Sequence, residues 1–152
     1  MRGDRDFLEQ AVDLAAANLA QGGRPFGAVL VRDGQVISAA SNQLHRRHDP
    51  SAHAELLCIR QASELLGSNR LDGCVIYASG QPCPMCLSAM HLCGISRVVF
   101  AAANADAEPF GLSTAALYQQ LSRPLAEQTL RIEQQPHSAM RGLYQRWQAQ
   151  HG

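Results

Sequence analysis

Lysine is absent: all thirteen basic residues are arginine. This reads mainly as a coding bias. Net charge is absent too, since thirteen acidic residues balance the arginines. That removes the electrostatic reason to expect a long nucleic-acid partner, because such proteins usually present a basic face. No apolar run is long enough to span a membrane. Met1 to Asp6 is charged, and Phe7 to Ala20 is amphipathic rather than an apolar plug, so no secretory signal is read. A cytoplasmic protein is expected. The cysteine count is odd, at five, which speaks against a disulfide framework and for thiolate chemistry or metal binding. Repeats, low-complexity stretches and linkers are lacking. The 152 residues, 46% of them hydrophobic, are therefore read as one globular domain over 1–152.

What is present alternates between two periodicities. Asp6 to Leu19 carries apolar residues at helical spacing (Phe7, Leu8, Ala11, Val12, Leu14, Ala15). Phe26 to Val31 and Gln35 to Ala40 read as strands joined at Asp33-Gly34, a hairpin signal. Ala52 to Leu66 reads as a helix closed by Gly67. Cys74 to Ala78 is a strand. Pro84 to Leu92 is a helix with proline in its first turn and Gly94 at its end. Ser96 to Ala101 reads as a strand, Leu112 to Leu121 as a helix, Thr129 to Glu133 as a short strand, and Ser138 to Ala149 as a closing helix. Interleaved helices and strands imply a layered α/β domain.

Two segments carry chemistry: His53-Ala54-Glu55 and Pro82-Cys83-Pro84-Met85-Cys86. Together these patterns form the known zinc deaminase signature. Zinc takes imidazole and thiolate ligands, and a catalytic site keeps one position for water. His53, Cys83 and Cys86 supply three ligands. A helix N-terminus helps both thiolates stay ionised. Two thiolates cancel the metal's formal charge, so a nearby base is useful, and Glu55 is the candidate. Residues two apart point to nearly opposite sides of a helix. His53 and Glu55 can therefore serve one site only if His53 sits at the ragged start of its helix. Taken singly, each piece has a bland meaning: a redox or structural cysteine pair, a solvated glutamate. Their conjunction at two successive helix starts does not. Cys58, Cys74 and Cys93 lie in apolar surroundings and read as core. His48, just upstream of the zinc histidine, is the remaining histidine best placed to line a pocket.

On these motifs the chain resembles the cytidine deaminase-like superfamily, in the branch holding bacterial guanine deaminases and tRNA adenosine deaminases. The resemblance runs from about residue 5 to residue 147. It includes Pro25-Phe26-Gly27-Ala28-Val29, Asn42, Asp49-Pro50 and both chemical segments. It implies a three-layer α/β/α sandwich with a five-stranded mixed central sheet, a Zn2+ cofactor and a homodimer. It further implies that Asn42 hydrogen-bonds the heterocycle and that Phe26 packs on its ring. Ala54 and Cys83 would offer backbone N–H groups near the leaving group or the attacking water.

The chain also departs from that branch. Guanine deaminases there typically carry aspartate where Thr114 stands, glutamate where Gln81 stands and glycine where Ser88 stands. They also tend to carry an aromatic hydroxyl at the extreme C-terminus, which Gln148 to Gly152 lacks. The contacts that read guanine are thus altered. The expected function is hydrolytic removal of an exocyclic amino group from a small heterocycle: guanine, another aminopurine, a pterin or a triazine. Guanine itself is expected to be a poor substrate. The alternative is a tRNA-specific adenosine deaminase, which Arg46-Arg47-His48-Asp49-Pro50 resembles. A zinc-stabilised scaffold with a dead site is the third reading, and Glu55 argues against it.

Overall fold

A computed structural model describes residues 2–152. They fall into two compact units, one ending at Gln119 and one spanning 120–152. The first unit is built on a mixed sheet of four strands in the order β2-β1-β3-β4. These are β1 (Gly27–Arg32), β2 (Gln35–Ser41), β3 (Cys74–Gly80) and β4 (Arg97–Ala102). β1 runs antiparallel to β2 and β3, and β3 runs parallel to β4. The hairpin joining β1 and β2 turns at Asp33 and Gly34, both with positive φ (50° and 75°). Two left-handed residues match the twist of the flanking strands, which is why an Asp-Gly pair sits there.

Both faces of β1 are covered, and Gly27 to Val31 are all buried. Helix α1 (Asp4–Ala20) lies on one face, where Phe7 and Ala11 pack with Val29, Val31 and Tyr77. Helices α2 (Ala54–Leu66) and α3 (Pro84–Cys93) lie on the other, around Ala28, Leu30 and Ile76. The side chains alternate between the two helix layers as the pleat requires. This is the expected α/β/α sandwich. Cys58, Cys74 and Cys93 are buried in or beside this core. Burial pushes the Cys58 thiol up to about 12, and it donates to the Ala28 carbonyl at 3.2 Å.

Gly27 brings α1 and β1 unusually close. A Cβ placed there would stand 2.3 Å from the Ala11 carbonyl oxygen and 2.8 Å from the Ala15 nitrogen. Past β4 come a short α4 (Asn104–Ala107) and α5 (Ala115–Leu121).

The second unit contains α6 (Ala139–His151), and none of its residues is buried. The expected fifth strand at Thr129–Glu133 is not formed, so the sheet has four strands among the described residues rather than five. A strand exists only with a ladder partner, and this segment pairs with none. Leu130 is 70% exposed and Ile132 39%.

Candidate metal and substrate site

The site forms at one end of the sheet, where β2, β3 and β4 finish and β1 begins. His53 is the N-cap of α2, with extended backbone angles (φ −82°, ψ 150°). Its carbonyl accepts the first helical bond, from the Leu57 N–H at 3.0 Å. The preceding turn is set by Asp49, whose Oδ1 accepts the Ser51 N–H at 2.9 Å and the Ser51 hydroxyl at 2.6 Å. Helix α2 thus starts two residues later than the periodicity predicts. His53 and Glu55 are thereby free to face one point. Cys83 occupies the equivalent N-cap position of α3 (φ −69°, ψ 164°), Pro84 begins the helix, and Cys86 lies one turn in.

His53 Nδ1 lies 3.5 Å from Cys83 Sγ and 3.7 Å from Cys86 Sγ. All three ligand atoms lie within 4.8 Å of one another. Zinc–sulfur bonds near 2.3 Å and zinc–nitrogen bonds near 2.0 Å at tetrahedral angles put nitrogen and sulfur about 3.6 Å apart. The donor set therefore fits zinc in both chemistry and spacing.

The two thiols share their charge unequally. Cys83 is pushed down to about 4 by the hydrogen bond from Cys86, with His53 beside it adding to the effect. Cys86 is pushed up because its proton is held toward Cys83 and because it is buried. The pair thus carries one negative charge readily and resists a second, a resistance that a divalent cation relieves. The hydrogen bond with Cys83 raises His53 above its usual value, while the Arg24 charge pulls slightly the other way. Burial pushes the Glu55 carboxyl up to about 7.

His53, Glu55 and Cys83 open into a cleft. Arg24 and Phe26 come from the loop before β1, and Asn42 from the residue after β2. Gly80 and Gln81 follow β3, and Leu112 and Thr114 precede α5. The Phe26 ring rests against Gly80, where an added Cβ would stand 3.2 Å from Cε1. Asn42 is 2% exposed. Its side-chain Oδ1 accepts the Leu44 N–H at 3.0 Å, which fixes the amide orientation and leaves Nδ2 as its free group.

Asn18, buried at the end of α1, ties two cleft loops together. Its Nδ2 donates to the Arg24 carbonyl at 2.7 Å and to the Asn42 carbonyl at 2.8 Å. On the opposite wall the Asn104 N–H donates to Gln81 Oε1 at 2.9 Å. Asn104 Oδ1 accepts the Thr114 N–H at 3.1 Å and the Thr114 hydroxyl at 3.4 Å. The Tyr118 hydroxyl donates to the Pro82 carbonyl, one residue before Cys83.

Of the residues singled out in the sequence, His53, Glu55, Cys83, Asn42, Phe26 and Thr114 meet at this cleft, with Cys86 behind Cys83. Ala54 is fully buried between His53 and Glu55. His48 is not brought in: it is exposed and does not line the cleft. Arg24 was missed, although it adjoins the Pro25-Phe26 motif. Asn104 and Tyr118 were missed as well, and helical patterning carries no signal for either.

The description "Cytidine and deoxycytidylate deaminase zinc-binding region" matches residues 1–102. Guanine deaminase from Bacillus subtilis (strain 168) is 38% identical over 142 residues, 93% of this chain and 91% of that protein. A crystal structure of guanine deaminase from Bacillus subtilis superposes with a TM-score of 0.92 at 36% identity, covering 97% of this chain and 95% of that one. The tRNA-specific adenosine deaminase of Aquifex aeolicus (strain VF5) is 39% identical over 100 residues, 66% of each chain.

Proposed function

The chain belongs to the family of the cytidine and deoxycytidylate deaminase zinc-binding region. From that premise we propose that it hydrolyses the exocyclic amino group off a free nucleobase-like heterocycle, guanine or a related aminopurine, pterin or triazine. One observation carries the reading: a zinc-spaced His53, Cys83 and Cys86 stand beside the buried Glu55 in a cleft walled by Phe26 and Asn42. His53, Cys83 and Cys86 would hold the zinc, which would supply a Lewis acid that acidifies a water in its open position.

The chain's own residues do the rest. Phe26 gives the ring an apolar platform. Asn42 Nδ2 donates to a ring acceptor and fixes which edge enters. Glu55 takes a proton from the attacking water and gives it to a ring nitrogen. It then takes the second proton of that water and delivers it to the departing amine. Water and the amino-heterocycle thus become the oxo-heterocycle and ammonia, with nothing left over. A carboxyl held near neutrality by burial suits this shuttling in both directions.

A free base is favoured over a tRNA because similarity to the guanine deaminase spans nearly the whole chain, and because the net charge is zero. Residues 1–152 are read as one deaminase domain on the same ground. A cytoplasmic setting fits five buried free cysteines. A homodimer is supported by α6, whose Met140, Leu143, Tyr144 and Trp147 are all exposed at helical spacing. Light scattering that finds only active monomer at micromolar concentration would contradict the dimer.

The decisive assay is ammonia release from guanine, other aminopurines, pterins, triazines and a tRNA anticodon stem-loop. Wild type should prefer a free base, and Glu55→Ala should lose at least about 10²–10⁴-fold with fold and zinc retained. The stem-loop emerging as the best substrate by kcat/KM would transfer the reading to tRNA.

A further inference from the structure

Four titratable or charged side chains line the cleft: Arg24, His53, Glu55 and Cys83. Three of them are committed to metal or proton transfer. Arg24 is therefore the one charged group left for recognition among the described residues.

Its backbone is held firmly. The Arg24 carbonyl accepts the Asn18 amide at 2.7 Å and the Phe26 N–H at 2.8 Å. The guanidinium, by contrast, has no hydrogen bond or ion pair among the described residues. Arg24 stands at the exposed rim of the cleft, two residues from the Phe26 platform.

Several polar groups of the walls are engaged with one another. Gln81 Oε1 accepts from Asn104, and the Thr114 hydroxyl donates its proton to Asn104. Asn42 Oδ1 accepts from Leu44. Asn42 Nδ2 and the Arg24 guanidinium are donors with no hydrogen-bond acceptor among the described residues. Apart from Glu55, which serves proton transfer, no carboxylate lines the cleft to receive an amino substituent. A cleft of this kind selects acceptors, and a planar, permanently charged donor fork selects oxygen.

We propose that Arg24 is a specificity-determining residue that hydrogen-bonds a ring-borne oxygen of the substrate, as carbonyl or oxyanion. The enzyme then prefers oxo-substituted amino-heterocycles to those carrying hydrogen or a second amino group at that position. This rests on the deaminase reading of the site and names its substrate class.

The test uses zinc-loaded enzyme and two matched pairs. Guanine and 2-aminopurine differ by one ring oxygen and report turnover. Hypoxanthine and purine differ in the same way, lack the amino group and report binding by calorimetry. Wild type should favour the oxo member of each pair. Arg24→Gln should lose about tenfold in kcat/KM on guanine, mostly through KM, with 2-aminopurine changed less than about twofold. The hypoxanthine preference should vanish in parallel, and Arg24→Lys should keep part of it. Equal losses on both members of a pair, or unchanged selectivity, would overturn the proposal. So would a loss confined to guanosine 5′-monophosphate, which would assign Arg24 to a phosphate. If wild type releases no ammonia from either base yet binds hypoxanthine over purine in an Arg24-dependent way, the deaminase reading falls and the Arg24 assignment stands.

Discussion

Replacing Gly27 by alanine adds one methyl group at the seam between the sheet and α1. That methyl would meet the Ala11 carbonyl oxygen at 2.3 Å, Leu14 Cβ at 2.7 Å and the Ala15 nitrogen at 2.8 Å. Two of the three are backbone atoms, so no rotamer change relieves the clash. The helix must retreat by roughly 1 Å to restore ordinary contact, and the gap would loosen Phe7 and Ala11 against Val29 and Tyr77. Overpacking of a well-packed core typically costs about 1–3 kcal/mol, and a backbone-limited clash belongs at the upper end. Alanine also restricts the unfolded chain, which returns about 0.4–1 kcal/mol. The net loss is about 2 kcal/mol. At about 2–4 °C per kcal/mol for a chain of this size, Tm should fall by about 4–8 °C. Thermal melts followed by circular dichroism measure this directly. The variant should also raise KM, because Phe26 is the next residue and the Gly27 N–H is anchored to Ser79 Oγ at 3.0 Å. A Tm within 1 °C of wild type would show that α1 and β1 are not in the close contact described, and the reasoning would fail.

Metal analysis should find one zinc per chain, lost in a Cys83→Ala, Cys86→Ala double variant. Full occupancy in that variant would remove both cysteines from the ligand set. Acid stability should depend on Asp4, whose carboxylate accepts from Arg97 at 2.8 Å and from Tyr77 at 2.6 Å. The Arg97 bond, then the Tyr77 bond, lower its pKa from 3.8 to about 2. A depressed folded-state value stabilises the fold above the unfolded pKa, and this contribution fades as pH falls from about 4 to about 2. The Tm difference between wild type and Asp4→Asn should therefore be full at pH 5 and shrink toward pH 2. A constant difference across that range would contradict it.

The zinc set was legible because it combines residue identity with helix starts, two signals that a sequence carries locally. His53 had to lie at a frayed start to share a site with Glu55, and the Asx turn at Asp49 provides that start. The choice between His48 and Arg24 was not legible. The loop after β2 is closed by the Gln43 N–H on the Ala52 carbonyl at 2.9 Å and by the Leu44 N–H on Asn42. That closure leaves residues 45–48 exposed. No periodicity encodes which way such a loop faces. The strand expected at 129–133 failed for a related reason. Alternation describes a segment fit to pair, but pairing depends on an edge elsewhere in the molecule. β3 and β4, in contrast, run further than their patterning predicts because Gly80 and Ala102 pair with each other.

The placement of Asn18 makes the two walls of the cleft unequal in how freely they can change. One amide holds the carbonyls of both Arg24 and Asn42, so the backbone at those two positions keeps a fixed separation however the side chains are altered. Moving either one relative to the other means leaving a buried amide hydrogen without an acceptor, a cost of about 1–3 kcal/mol. The facing wall hangs on Asn104, whose contacts with Gln81 and Thr114 are only part-buried, so water can replace what is lost there. Selection for a different heterocycle therefore meets little resistance at positions 104–114 and much at 18–42. The side that holds Thr114 is the adjustable jaw, and the side that holds Asn42 is the fixed one.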